Sequence, residues 1–163
     1  MKDLETKGFG GFCNVAALRT NSFSSIPSAP GVYAAIREKT KQPVKFLARS
    51  PAGWFKGKDP TQRVIDLRNR WIDEAEVIYI GKAGGPATGP DRTLKARIGE
   101  FVCFGAGIPC AHWGGRAVWQ LVGSDGLVIA WMETAEPRSL EKRLIEEFKE
   151  ANDGKRPFAN MRA

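Results

Sequence analysis

The stretch Glu76-Val77-Ile78-Tyr79-Ile80-Gly81-Lys82-Ala83-Gly84 decides the fold. Val77 and Tyr79 alternate with Ile78 and Ile80, so an extended chain here is apolar on both faces. Such a strand belongs in the interior of a sheet. Gly81 and Gly84 end it and let another group approach its backbone closely. A second stretch of the same kind lies upstream, Gly31-Val32-Tyr33-Ala34-Ala35-Ile36, again with a tyrosine near a glycine. A third strand is read at 126–132, where Leu127, Val128, Ile129, Ala130 and Trp131 run unbroken.

Helices are expected between and after these strands. One spans 61–71, opened by Asp59-Pro60 and carried by Val64, Leu67 and Trp71. A second runs to about 103, capped by Asp91 or Thr93. It gathers Leu94, Ile98, Phe101 and Val102 on one face, with Arg97 at the margin. The last begins at Pro137 or Ser139 and ends near Asn152, before Gly154. Residues 84–90 carry Gly84, Gly85, Pro86, Gly89 and Pro90 and are expected to form a mobile loop. Residues 105–126 are broken by glycines, with either a short helix or a strand expected at 116–122. Residues 1–30 read as an N-terminal extension, in which the spacing of Phe9, Phe12, Val15 and Leu18 suits a short helix or turn. Residues 31–163 read as a single domain.

At 163 residues, with 42% hydrophobic and 26% charged content, the chain suits one soluble domain with a real core. No apolar run reaches the roughly 18 residues of a membrane helix, and the charged N-terminus lacks the apolar core of a signal peptide. A cytoplasmic location is the expectation. Cys13, Cys103 and Cys110 lack paired metal spacing, and His112 is the one histidine, so free thiols are expected and a Cys/His zinc site is not.

The net charge of +7 favours a polyanionic partner. Between Arg37 and Arg70 stand ten bases and three acids, so this segment carries a net charge equal to that of the whole chain. Residues 38–75 form a long connection between the two tyrosine strands, with a further strand expected near 44–48. Lys45, Arg49, Lys56, Lys58 and Arg63, with Arg116 further on, are the candidate nucleic-acid contacts. Phe46, Trp54 and Phe55 lie among the bases. Cations with interleaved aromatics can follow a phosphate backbone and stack bases, or they can be a solvated insertion whose aromatics pack on the core.

The last helix holds the sharpest signal. At about 100° per residue, Glu141 falls inside the apolar stripe of Leu140, Leu144, Ile145 and Phe148, while Glu146, Glu147 and Glu150 fall opposite. A carboxylate on a core-facing stripe needs a partner, either a cation such as Arg97 or a metal ion.

Tyr33, Tyr79, Gly81, Lys82, Arg97, Glu141 and Asn160 follow one another as tyrosine strand, tyrosine strand, arginine helix, final strand, glutamate helix and late asparagine. In this order the chain resembles the GIY-YIG nuclease family, with Gly31-Val32-Tyr33 and Tyr79-Ile80-Gly81 as its two motifs. It looks most like small stand-alone bacterial members. The resemblance covers roughly 31–37 and 76–160, and the long connection at 38–75 departs from the family's short hairpin. It implies an α/β fold with a small central three-stranded sheet, mixed or antiparallel, flanked by helices. It also implies a Mg²⁺-dependent (or Mn²⁺-dependent) DNA endonuclease of restriction or repair type, with a homodimer as one way to cut both strands.

On that resemblance Glu141 holds the metal, Arg97 contacts a phosphate oxygen and Tyr33 acts as general base in the field of Lys82. Tyr79 binds phosphate or positions water, and Asn160 orients a neighbour. Many relatives carry a histidine or tyrosine four residues after the helix arginine, where this chain has Phe101. His112 is then either a distant substitute that reaches back into the site or a structural residue. The alternative to a nuclease is a nucleic-acid-binding module that keeps the fold without cutting.

Overall fold

The computed structural model describes residues 1–39, 42–85, 89 and 91–161. Most of the 84–90 loop expected to be mobile lies outside them, at 86–88 and 90. The chain is α/β. In order it forms α1 (Lys2–Thr6), β1 (Gly10–Asn14), α2 (Val15–Thr20), β2 (Gly31–Ile36), α3 (Val64–Arg70), β3 (Val77–Ala83), α4 (Leu94–Gly105), β4 (Val128–Glu133) and α5 (Pro137–Glu150). Short 3-10 helices at Arg116–Gln120 and Ser124–Gly126 precede β4.

The three strands expected from sequence share one antiparallel sheet, but a fourth joins them, in the order β1-β4-β2-β3. The extra strand, β1, comes from the segment read as helix or turn. Its alternation is interrupted by a bulge between Gly10 and Cys13. Gly11 and Phe12 there take positive φ values of 87° and 44°. The bulge breaks the strand's alternation, and the expected short helix follows at once as α2, where Val15 and Leu18 are buried. Gly11 is required here because the Trp131 indole crosses it, with ring atoms 2.4 Å from where a Cβ would stand.

The sheet separates two apolar layers. Tyr33, Ala35, Tyr79, Ile129 and Trp131 pack with Leu94, Ile98, Phe101 and Val102 of α4 and with Trp119. Val32, Ala34, Ile36, Ile80, Val128 and Ala130 pack with Leu140, Leu144 and Ile145 of α5 and with Leu4 and Phe9. Each such large apolar side chain, fully buried, contributes about 1.5–3 kcal/mol. All six residues of β2 are buried, as its central place between two neighbours demands. Thr93 caps α4, its hydroxyl accepting from the Ala96 amide at 3.2 Å, and Pro137 opens α5.

β3 differs from its sequence expectation. It is apolar on both faces, yet it stands at the end of the sheet order. Its outer edge is covered by the segment after α5 rather than by another strand. The Ala159 amide donates to the Ile78 carbonyl at 2.9 Å. The Asn160 carboxamide accepts from the Ile80 amide at 2.9 Å and donates to the Ile80 carbonyl at 2.7 Å. One side chain thus offers the donor and acceptor that a neighbouring peptide group would offer.

The connection from 38 to 75 is bound into the domain. The strand expected at 44–48 reduces to a single bridge, Phe46 to Leu121, flanked by Leu47 N–H to the Gln120 carbonyl at 2.8 Å and Val122 N–H to the Lys45 carbonyl at 3.0 Å. The fully buried Gln120 side chain donates to the Leu47 and Gln62 carbonyls at 2.9 and 2.8 Å and accepts from the Gln62 amide at 2.9 Å. Gln62 is held in these contacts, and the Thr61 amide donates to the Asp59 carboxylate at 2.8 Å, so α3 starts at Val64 rather than Thr61. Phe46 and Trp71 close on Phe158, with ring centroids 5.6 and 5.1 Å away. The insertion therefore clamps the residue that leads into the β3 edge cover. Arg37 lies 5.5 Å over Trp71 and Arg70 5.9 Å over Phe158, so two of the segment's bases cap aromatic rings.

Candidate active site

The two motif strands bring their tyrosines together through register. Tyr33 on β2 faces Gly81 on β3. A Cβ at Gly81 would stand 2.6 Å from Tyr33 Cζ and 2.7 Å from its hydroxyl, so the absence of a side chain there is what lets the ring lie across β3. The Tyr33 and Tyr79 ring centroids are 6.0 Å apart, edge to face. Tyr79 stacks on Phe101 at 5.5 Å. Phe101 is a packing surface for both tyrosines and for His112.

His112 reaches into this group from the loop after α4. Its Nε2 shares a 2.6 Å hydrogen bond with the Tyr33 hydroxyl, and its Nδ1 is buried with no hydrogen-bond partner among the described residues. Both residues are fully buried. Burial, with the Arg97 charge adding to it, lowers the His112 pKa to about 3, so the imidazole is neutral. Burial pushes the Tyr33 hydroxyl well above its ordinary value, and the neighbouring Tyr79 pushes it further. Burial raises Tyr79 to about 12 against the opposing pull of Arg97. At neutral pH both tyrosines are therefore protonated.

The cleft opens on the outer side of β3, with a volume of about 500 Å³. Tyr79, Lys82, Glu141 and Asn160 line it, joined by Lys58 from the insertion and by Trp113, Gly114 and Arg116 from the loop before β4. Glu141 is half-buried and its Oε2 meets Lys82 Nζ at 2.5 Å. The cation beside Glu141 is thus Lys82, not Arg97. Arg97 lines a smaller adjoining hollow of about 250 Å³ with Lys82, Arg92 and Ala111. It donates to the Ala111 carbonyl at 2.8 Å and pairs with Glu100 at 2.7 Å. Lys82 borders both spaces.

Of the sequence candidates, Tyr79, Lys82, Glu141 and Asn160 meet in the cleft, with Lys58 and Arg116 on its walls. Tyr33 and His112 lie behind Tyr79 without reaching the surface, and Arg97 stands on the far side of Lys82. Lys45, Arg49 and Lys56 are exposed elsewhere on the insertion. Arg63 is engaged by Asp66 on its own helix at 2.7 Å. Trp113 is a wall residue that sequence reasoning did not single out. The neighbouring Gly114 and Gly115 hid it inside a stretch with no period, although a large aromatic beside Arg116 was the available signal.

Comparison with family models, with curated proteins and with solved structures finds no match to this chain.

Proposed function

We propose that the chain is a metal-dependent endonuclease that hydrolyses DNA phosphodiester bonds in the manner of the GIY-YIG enzymes it resembles. One observation carries the reading. Among the described residues a single carboxylate, Glu141, stands in a cleft whose other charged walls are Lys58, Lys82 and Arg116, beside the hydroxyl-bearing Tyr79. A cationic cleft attracts a phosphodiester, and an acid placed there repels it unless it serves the reaction.

Among the described residues no group of three His, Cys, Asp or Glu side chains could cage a metal ion. The donor set still fits Mg²⁺ or Mn²⁺. Such ions in phosphate chemistry keep several waters and take one or two carboxylates together with substrate oxygens. Glu141 would hold the ion, which when bound supplies positive charge to the phosphate and a more acidic water. Lys82, now on Glu141, would be the cation nearest to a phosphate oxygen beside that ion. Tyr79, protonated by its raised pKa, serves as a hydrogen-bond donor to phosphate rather than as a base. His112 and Tyr33 hold Tyr79 from behind, and Asn160 fixes the β3 edge on which Tyr79 and Lys82 stand. Arg97 presents a planar cation across Lys82.

The test is nicking of supercoiled plasmid by the wild type and by Glu141→Gln, each with Mg²⁺ and with EDTA. Nicking by the wild type with Mg²⁺ alone is expected. Equal nicking by Glu141→Gln, or in EDTA, sinks the reading. The contact that covers Glu141 with Lys82 favours one second reading, a binding module that does not cut. It requires DNA binding without nicking under either metal.

A further inference from the structure

We propose that the cleft takes nucleic acid with unpaired nucleotides, and that Trp54 is the platform on which an unpaired base stacks. This rests on the nuclease reading of the cleft and adds the class of substrate. Trp54 is 55% exposed, among the most exposed of the large apolar side chains. Its backbone is nevertheless fixed on both sides. The Gly53 amide donates to the Phe104 carbonyl at 2.7 Å. Gly53 lies so close to the next loop that a Cβ would stand 2.3 Å from the Ile108 carbonyl oxygen. On the other side Phe55 and Lys58 exchange backbone hydrogen bonds of 3.2 and 3.0 Å. Between them Lys56 and Gly57 take φ values of 51° and 72°, the signs of a tight turn of the I′ type. An aromatic held on a fixed backbone loses little freedom when a ring is laid on it.

The ledge runs into the cleft. The Phe55 ring packs on Trp113 with centroids 6.2 Å apart. Trp113 is a cleft wall, with the Arg116 guanidinium 4.3 Å from its centroid. Lys58, at the base of the turn, lines the same wall. Residues 51–58 contain two lysines and no acid. Aromatic faces interleaved with cations suit a single strand, whose phosphates follow the charge while its bases stack. A closed duplex keeps its base faces inside and offers such a ring nothing but groove edges. An apolar protein partner would gain no advantage from the flanking lysines. Nucleic acid with a single-stranded or looped segment beside the cut is the occupant that uses both features.

The test measures binding of the full chain in EDTA, which prevents cleavage, by anisotropy of labelled oligonucleotides. The probes are a short single strand, the same strand with abasic sugars in place of its bases, and the matching duplex. The single strand is supplied as DNA and as RNA to separate the two sources of the same base chemistry. The wild type is expected to bind the natural single strand roughly five- to a hundredfold more tightly than the abasic one. Trp54→Ala removes that preference and leaves duplex binding unchanged, while Trp54→Phe keeps most of it. Equal binding of natural and abasic strands by the wild type overturns the proposal, as does a parallel loss of single-strand and duplex binding in Trp54→Ala. Failure to bind any probe overturns it together with the nuclease reading. Base-dependent binding without metal-dependent nicking overturns cleavage alone and leaves the platform standing.

Discussion

Tyr33 and Tyr79 come from similar stretches of sequence and end in opposite circumstances. Tyr33 stands on β2, paired on both sides, and is sealed against Phe101 and His112. Tyr79 stands on β3, whose outer edge is covered by side chain and loop, and it reaches a cleft with charged walls. Strand order, more than the motif, separates the sealed tyrosine from the one that lines the cleft.

The comparison is most exposed to a pair of phenylalanine variants. Tyr79→Phe is expected to lower nicking by about 10²- to 10³-fold, the scale of one transition-state hydrogen-bond donor, with an unchanged urea midpoint. Tyr33→Phe leaves His112 Nε2 buried without its partner and is expected to cost about 1–3 kcal/mol of stability. If Tyr79→Phe proved the more destabilising of the two, the division between support and contact would be wrong.

Acid tests the sealed side. His112 has its folded pKa lowered to about 3 from an ordinary 6.5, so the unfolded chain binds the extra proton first. Its contribution to stability is whole above pH 6.5 and is lost as pH falls toward 3, with a slope approaching about 1.4 kcal/mol per pH unit. Urea midpoints measured across that window should fall steeply for the wild type and more shallowly for His112→Gln.

On the open side, Asn160→Ala removes both hydrogen bonds to Ile80. It is expected to cost about 1–2 kcal/mol and to reduce kcat along with stability, since the strand carrying Tyr79 and Lys82 loses its cover. Asn160→Asp should restore at most the bond from the Ile80 amide. The smallest effect belongs to the cleft rim. Lys58→Gln should leave the midpoint unchanged and reduce the salt slope of duplex binding by about 0.9, one phosphate contact. An unchanged slope would move the DNA path away from the insertion.

The strands and the two long helices were legible because their periods are unbroken, and Glu141 stood out because a helix exposes a misplaced acid. β1 was not legible, because a bulge breaks its alternation and the helix that follows, with Val15 and Leu18, dominates the pattern of the segment. The edge position of β3 was hidden for a different reason. Burial by a carboxamide and an aromatic clamp leaves the same apolar record in the strand as burial by another strand. The insertion offered two readings, solvated packing or nucleic-acid surface, and its aromatics divide between a packed and an exposed position. Phe46 is folded onto Phe158, whereas Trp54, eight positions later, stays in solvent. Local composition is the same for both residues, and only the long-range partner, Phe158, distinguishes them.

The carboxamide of Asn160 on Ile80 also sets an order in time. The two residues are 80 positions apart, and Phe158, two residues before Asn160, packs on Phe46 and Trp71. A ribosome delivers the chain from its N-terminus at about 5–20 residues per second. Both tyrosines, Lys82 and Glu141 therefore leave it before the segment that completes the cleft. A growing chain carries β3 with its outer edge uncovered until Asn160 has emerged.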